Sequence, residues 1–198
     1  MDYNIRGNKM ANTTKIDICN QALMILGIEE DVANIDTPST RWEKRCARYY
    51  EPARQKFLTL AMPSFAITPE AINITTKTDG LFYIPADCLR VLRVNGRGTG
   101  FHEIGGTIQC DFATSDTISV QYVKDTRDLG VYTAEGCLMF ANELAILLAP
   151  LTKDNAKIAY ANTTLQQNRK EYAGINAQKT KIKKIESRPF IGKGWFYR

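Results

Sequence analysis

Apolar positions in the first part of the chain recur at helical spacing. Ile16, Cys19, Leu23 and Leu26 fall three or four residues apart, with Thr14 before them and Gly27 after, so the spacing predicts a helix over 14–26. A second helix is predicted over 39–60, with Trp42, Cys46, Tyr49, Tyr50, Ala53, Phe57 and Leu60 as its apolar face. Pro52 lies inside it, which predicts a kink, or a short break with a restart near Glu51.

The pattern changes between Phe65 and Lys124 to short runs rich in β-branched and aromatic residues, punctuated by Gly, Pro and Asp. Strands are predicted at 81–84, 89–94, 101–104, 107–110 and 117–123, with Gly105-Gly106 as a two-residue hairpin turn. Helical period returns over 134–149, where Leu138, Ala141, Leu144, Ala145 and Leu148 share a face that Phe140 and Leu147 widen. A helix apolar nearly all round is expected to be the central buried one. Pro150 stops it, Thr152 is placed to cap the next, and a long helix is predicted over 153–178 with only Ile158, Ala161, Leu165 and Tyr172 as its stripe. So thin a stripe packs on one side and leaves a broad Asn, Gln and Thr face for water or a neighbouring subunit. The segment after it has no lasting period and reads as a tail that orders on a partner. The expected fold is α+β: a helical bundle of about four helices with an inserted small antiparallel β lobe and an extended C-terminal tail. Its divisions are an N-terminal extension (1–13), a helical body (14–64 and 125–178), the inserted β lobe (65–124) and the tail (179–198).

Composition supports a folded chain. Hydrophobic residues are 44% and charged residues 24% of 198. The most apolar run, Cys137 to Leu151, is broken by Asn142 and Glu143 and is shorter than the roughly 20 residues of a membrane span, so no membrane association is expected. MDYNIRGNK lacks an apolar centre and a small-residue cleavage site, and the expectation is a protein that stays in the cytoplasm where it is made. Five scattered cysteines, Cys19, Cys46, Cys88, Cys110 and Cys137, never form C-x-x-C and read as small buried hydrophobes. The formal charge of +5 is unevenly spread: residues 169–198 hold nine Lys or Arg against two acids, a net +7, and the other 168 residues carry −2. A nearly neutral body with a basic tail points to an acidic partner for the tail.

Residues for catalysis are scarce. His102 is the one histidine, and no nucleophile elbow, zinc-helix or P-loop pattern occurs. Gly96, Gly98 and Gly100 lie in NGRGTG, but that stretch leads into a strand and offers no helix N-terminus to an anion, so it reads as a strand connection. No catalytic residue, metal ligand or cofactor is assigned, and the protein is not expected to be an enzyme.

Four motifs, in order, are IDICNQALMILG (16–27), YYEPARQKFLTLAMPSFA (49–66), YIPADCLRVLRVNG (83–96) and LMFANELAILLAPLT (138–152), the last followed by a polar helix. Together they resemble the tail tubular protein A family, the head-tail adaptors of short-tailed phages. The sequence departs from that family at Ser64, where a tryptophan is common, and in the nine residues before Met10, which make Met10 an alternative start. Each motif also has an architectural reading: Ala22 and Leu26 as helix packing, Arg54 as an inter-helix ion pair, Pro85 and Asp87 as a turn, Leu144 and Leu148 as core. The resemblance implies a virion protein of the tail or neck. It would form a dodecameric ring beneath the portal protein, carry the tail nozzle protein on its other face, and let genomic DNA pass through its bore without sequence-specific binding.

The basic, aromatic tail is the expected portal-binding element, through Lys181, Lys183, Lys184, Arg188, Trp195, Phe196, Tyr197 and Arg198. The alternative is a nucleic-acid-binding protein in which those aromatics stack on bases, and a third reading folds them back on the protein's own core. Against the nucleic-acid alternative, no predicted helix of the body carries a basic face.

Overall fold

The computed structural model describes residues 13–69, 72–75, 81–110 and 116–174. Helix α1, Lys15–Ile25, starts where Thr14 forms a reciprocal cap. The Thr14 hydroxyl accepts from the Asp17 amide at 3.2 Å, and the Asp17 carboxylate accepts from the Thr14 amide at 2.7 Å. It closes in a Schellman turn: Gly27, at φ 62°, donates to the Met24 carbonyl, and Ile28 donates to that of Leu23. Helix α2, Arg41–Ala61, opens on a second capping box between Thr40 and Glu43 and ends at Met62, left-handed at φ 44°. It runs unbroken through Pro52, so the break near Glu51 does not occur. Pro52 and Arg48 are both exposed, and water can serve the Arg48 carbonyl that the proline leaves without an amide partner.

Helix α3, Ala134–Leu148, capped by Thr133, packs on both α1 and α2. Phe140, Ala141, Leu144, Ala145 and Leu148 are fully buried there, while Leu138, expected on the same face, is 41% exposed. Counted through the following 3-10 turn, Ala134–Thr152 is 19 residues, long and apolar enough to cross a membrane by length and composition; a core helix passes the same test, and 56% of that stretch is buried inside the protein.

The last helix corrects the sequence reading at its start. Lys153 adopts φ 59° and cannot be helical, and the cap is Asp154, whose carboxylate accepts from the Ala156 and Lys157 amides. Thr152 instead donates to the Ala149 carbonyl and accepts from the Asp154 amide. Helix α4 runs over Asn155–Tyr160, widens into a π turn at Ala161–Leu165 and resumes as α-helix over 166–174. Ala161, Leu165 and Tyr172 are buried and Ile158 half-buried, so the thin stripe is as expected. Residues 175–178 of the predicted helix lie outside the described residues.

Between α2 and α3 come six strands: β1 Ile72–Thr75, β2 Phe82–Tyr83, β3 Cys88–Val94, β4 Phe101–Ile104, β5 Thr107–Cys110 and β6 Thr117–Lys124. They make two antiparallel sheets of three strands, in the orders β1-β6-β3 and β2-β5-β4. The α+β class read from the sequence is therefore what the structure shows. β1 is not among the predicted strands; its four residues gain a partner only when β6 arrives. Gly105 and Gly106 turn the β4–β5 hairpin at φ 57° and 81°, and Asn95-Gly96, at 50° and 75°, turns the chain after β3. NGRGTG is thus a strand connection that leads into β4.

Buried apolar residues fall into two clusters. The larger joins the four helices and centres on an aromatic group: Phe57 stacks on Phe140 at 6.2 Å, Tyr50 meets Phe140 edge-on at 5.0 Å, and Tyr172 of the last helix comes within 6.0 Å of Phe57. The smaller gathers Phe82, Val91, Val94, Ile108, Ile118, Val120 and Tyr122 between the two sheets. β3 and β6 serve both. Val91, Val94, Ile118 and Val120 face the lobe, whereas Val123 belongs to the helical cluster and Leu89 and Leu92 pack against it.

Candidate functional site

Among the described residues no group of three or more His, Cys, Asp or Glu is placed to hold a metal. His102 is exposed on β4. Cys19, Cys46 and Cys137 are buried as expected, but Cys88 and Cys110 of the lobe are only half-buried; none of the five is in a disulfide. Cys19 of α1 is hydrogen-bonded to Cys46 of α2, and that bond together with burial pushes its thiol pKa up. The predicted portal-binding residues Lys181, Lys183, Lys184, Arg188, Trp195, Phe196, Tyr197 and Arg198 lie outside the described residues.

Three acid-base groups brace the helical body. Arg54, 1% exposed, was expected to pair between helices. It pairs instead with Glu51 in its own helix at 2.6 Å and with Asp125 at the exit of β6 at 2.7 Å, and it donates to the Thr126 carbonyl. Burial opposes the Arg54 charge, but the hydrogen bonds it donates to Asp125 and Glu51 outweigh it and raise its pKa, while Arg54 in turn holds Asp125 below the usual carboxylate value despite burial. Glu143, buried on α3, lies 3.8 Å from Lys56 of α2 and 3.3 Å from Arg169 of the last helix. Burial raises its pKa against the pull of those two cations. Glu43 has no cation partner among the described residues: its carboxylate accepts from the amides of Ala33, Asn34, Ser39 and Thr40 and from the Ser39 hydroxyl, which lowers its pKa to about 2. Asn20 completes the pin by exchanging two hydrogen bonds with the Val32 backbone, so the α1–α2 connection is tied down at both ends.

The surface of α2 overturns the expectation that the body lacks a basic helix face. Arg41, Lys44, Arg45 and Arg48 recur at three- and four-residue spacing, and Lys44, Arg41 and Arg48 are exposed. The Arg45 guanidinium lies 4.5 Å from the centre of the Trp42 ring, with Arg41 5.9 Å from the same ring and Arg48 5.9 Å from that of Tyr49. None of the four has a hydrogen bond or ion pair from its side chain among the described residues, and one terminal nitrogen of Arg45 is shut off from water without a partner. Burial and the neighbouring Arg41 lower the Arg45 pKa. The signal was visible in RWEKRCARYY, but the two acids of α2 masked it: Glu43 is spent on the loop and Glu51 on Arg54, so neither neutralises the stripe.

A groove of about 720 Å³ opens along α1 and the turn after it, lined among others by Asp17, Met24, Ile28, Glu29, Asp31 and Cys137. Met24 is 70% exposed beside it, and Glu29, Glu30 and Asp31 are exposed in succession. Compared with known protein families and with characterised proteins, the chain matches none.

Proposed function

We propose that the chain is the subunit of a head-to-tail adaptor ring of a short-tailed phage, a structural virion protein without catalytic or cofactor chemistry. It binds the portal protein, carries the tail nozzle on its other face and lets genomic DNA pass through its bore. The observation that carries this reading is the order of elements: two helices, an inserted two-sheet lobe, a central helix and a last helix attached by a thin stripe. The four motifs behind the family resemblance fall on these elements in sequence, and their residues serve architecture. Ala22, Leu26, Leu144 and Leu148 are core, Arg54 locks the lobe to α2, and Asp87 accepts from the Tyr122 hydroxyl at 2.9 Å in the turn before β3.

Electron microscopy of the chain mixed with the portal protein of its phage tests the reading directly. Class averages with an added ring below the portal are expected; portal rings unchanged after mixing would end it. Deleting 179–198 should remove co-sedimentation with portal, and undiminished binding would move the docking element elsewhere. A nucleic-acid-binding role is the second reading, favoured by the cationic stripe of α2 with its interleaved aromatics.

A further inference from the structure

The α2 stripe and the α1 groove are each incomplete alone. On α2 four cations recur along one face, three of them within 5.9 Å of an aromatic ring centre, and none of the four makes an ion pair among the described residues. Like charges so arranged repel unless something acidic covers them. At the groove the opposite holds: Glu29, Glu30 and Asp31 stand exposed with no ion pair among the described residues, next to a largely apolar floor where Met24 is 70% exposed. Both surfaces sit on firm supports. α1 and α2 each pack on α3, and the connection between them is pinned by Glu43 and Asn20.

We infer that the two surfaces meet across neighbouring copies of this chain: the α2 stripe of one subunit enters the acidic α1 groove of the next. The inference rests on the ring reading above and assigns its lateral contact. The contact is head-to-tail, one patch against a different patch, which is the kind that closes into rings. Charge complementarity selects the occupant, because the chain supplies both halves in like number, the exposed Arg41, Lys44 and Arg48 against the exposed Glu29, Glu30 and Asp31. The Arg45 guanidinium already lies 4.5 Å from the centre of the Trp42 ring, and the alkyl stems of the arginines can cover Met24 and Ile28 on docking. The last helix, whose polar face the sequence offered to water or a neighbouring subunit, presents mainly Asn, Thr and Gln over 162–168, with exposed Lys170 and Glu171 beyond, and so lacks a block of one sign to meet either patch.

Two triple variants provide the test, Arg41→Glu/Lys44→Glu/Arg48→Glu and Glu29→Lys/Glu30→Lys/Asp31→Lys. All six positions are exposed and outside the core, and circular dichroism should match the parent. Sedimentation velocity and electron microscopy would follow self-association of the full chain at low salt. Each variant alone should associate at least about tenfold more weakly than the parent, since each places like charges across the contact. An equimolar mixture should recover association, because the acidic stripe of one variant then faces the basic groove of the other. Loss in each variant without recovery in the mixture overturns the pairing. Rings that persist in both variants overturn it too and leave the adaptor reading standing, and rings lost only on deleting 179–198 would give the groove to the tail. Retained rings with lost binding to single-stranded DNA in the stripe variant assign α2 to nucleic acid. A parent chain that never self-associates, alone or on portal, removes both the contact and the ring.

Discussion

The helical body and the β lobe reach stability by different means. The body buries a large aromatic centre and, with it, ionisable groups such as Arg54 and Glu143 that must be matched by partners from other elements. The lobe holds a small aliphatic core between two three-stranded sheets, and its turns depend on backbone conformation more than on side-chain pairing. The difference teaches where damage spreads. A lost partner in the body leaves a charge stranded among several helices, whereas a trimmed side chain in the lobe is felt chiefly between the sheets.

Arg54→Met breaks this contrast most severely. It strands Asp125, whose side chain is 13% exposed, and unties α2 from the exit of β6; a loss of about 3–5 kcal/mol in denaturant unfolding is expected. Leu144→Ala in the body, at 0% exposure, should cost near the upper end of about 2–5 kcal/mol, and Ile108→Ala in the lobe, at 1% exposure, near the lower end. If the lobe change costs as much as the body change, the two cores are not distinct in the way described. Gly106→Ala, at φ 81° with open space around it, should cost about 1 kcal/mol through backbone strain alone, and Gly106→Asn less.

Glu43 sharpens the comparison through pH. Its folded pKa of about 2 lies below the ordinary carboxylate value of 4.5, so its contribution is present above 4.5 and is lost as pH falls toward 2. Glu43→Gln should lower stability at neutral pH and flatten the acid limb of the stability curve; an unchanged limb would show that the loop pin is not electrostatic. Glu143 has the opposite sign. Its folded pKa is raised, so ionisation of this buried group costs stability as pH rises through it, and Glu143→Gln should change neutral-pH stability by less than about 1 kcal/mol while removing that slope.

The helices were legible because their ends are written locally: Thr14 with Asp17 and Thr40 with Glu43 are reciprocal caps three residues apart, and Gly27 marks a stop. The start of the last helix was misread by two residues because Thr152 and Asp154 both suit a cap, and only the left-handed Lys153 decides between them. β1 escaped notice since four residues of INIT carry little periodicity, and its partner β6 is distant in sequence. The α2 stripe was hidden for another reason. Counting charges along a segment treats every acid as free, whereas here burial and pairing withdraw Glu43 and Glu51 from the surface account.

The joint between lobe and body has a mechanical meaning. The chain entering the lobe is tied to β6 where Thr68 donates to the Tyr122 carbonyl and its hydroxyl accepts from the Tyr122 amide, and the chain leaving it is held by Arg54 and by the Tyr132 hydroxyl on the Thr126 carbonyl. Among the described residues both crossings are therefore clamped within one short stretch of β6 and its exit. A push on the far end of the lobe is expected to pass as torque through β6 to the middle of α2, and from there to α3, in the manner of a lever arm more than of a swinging flap.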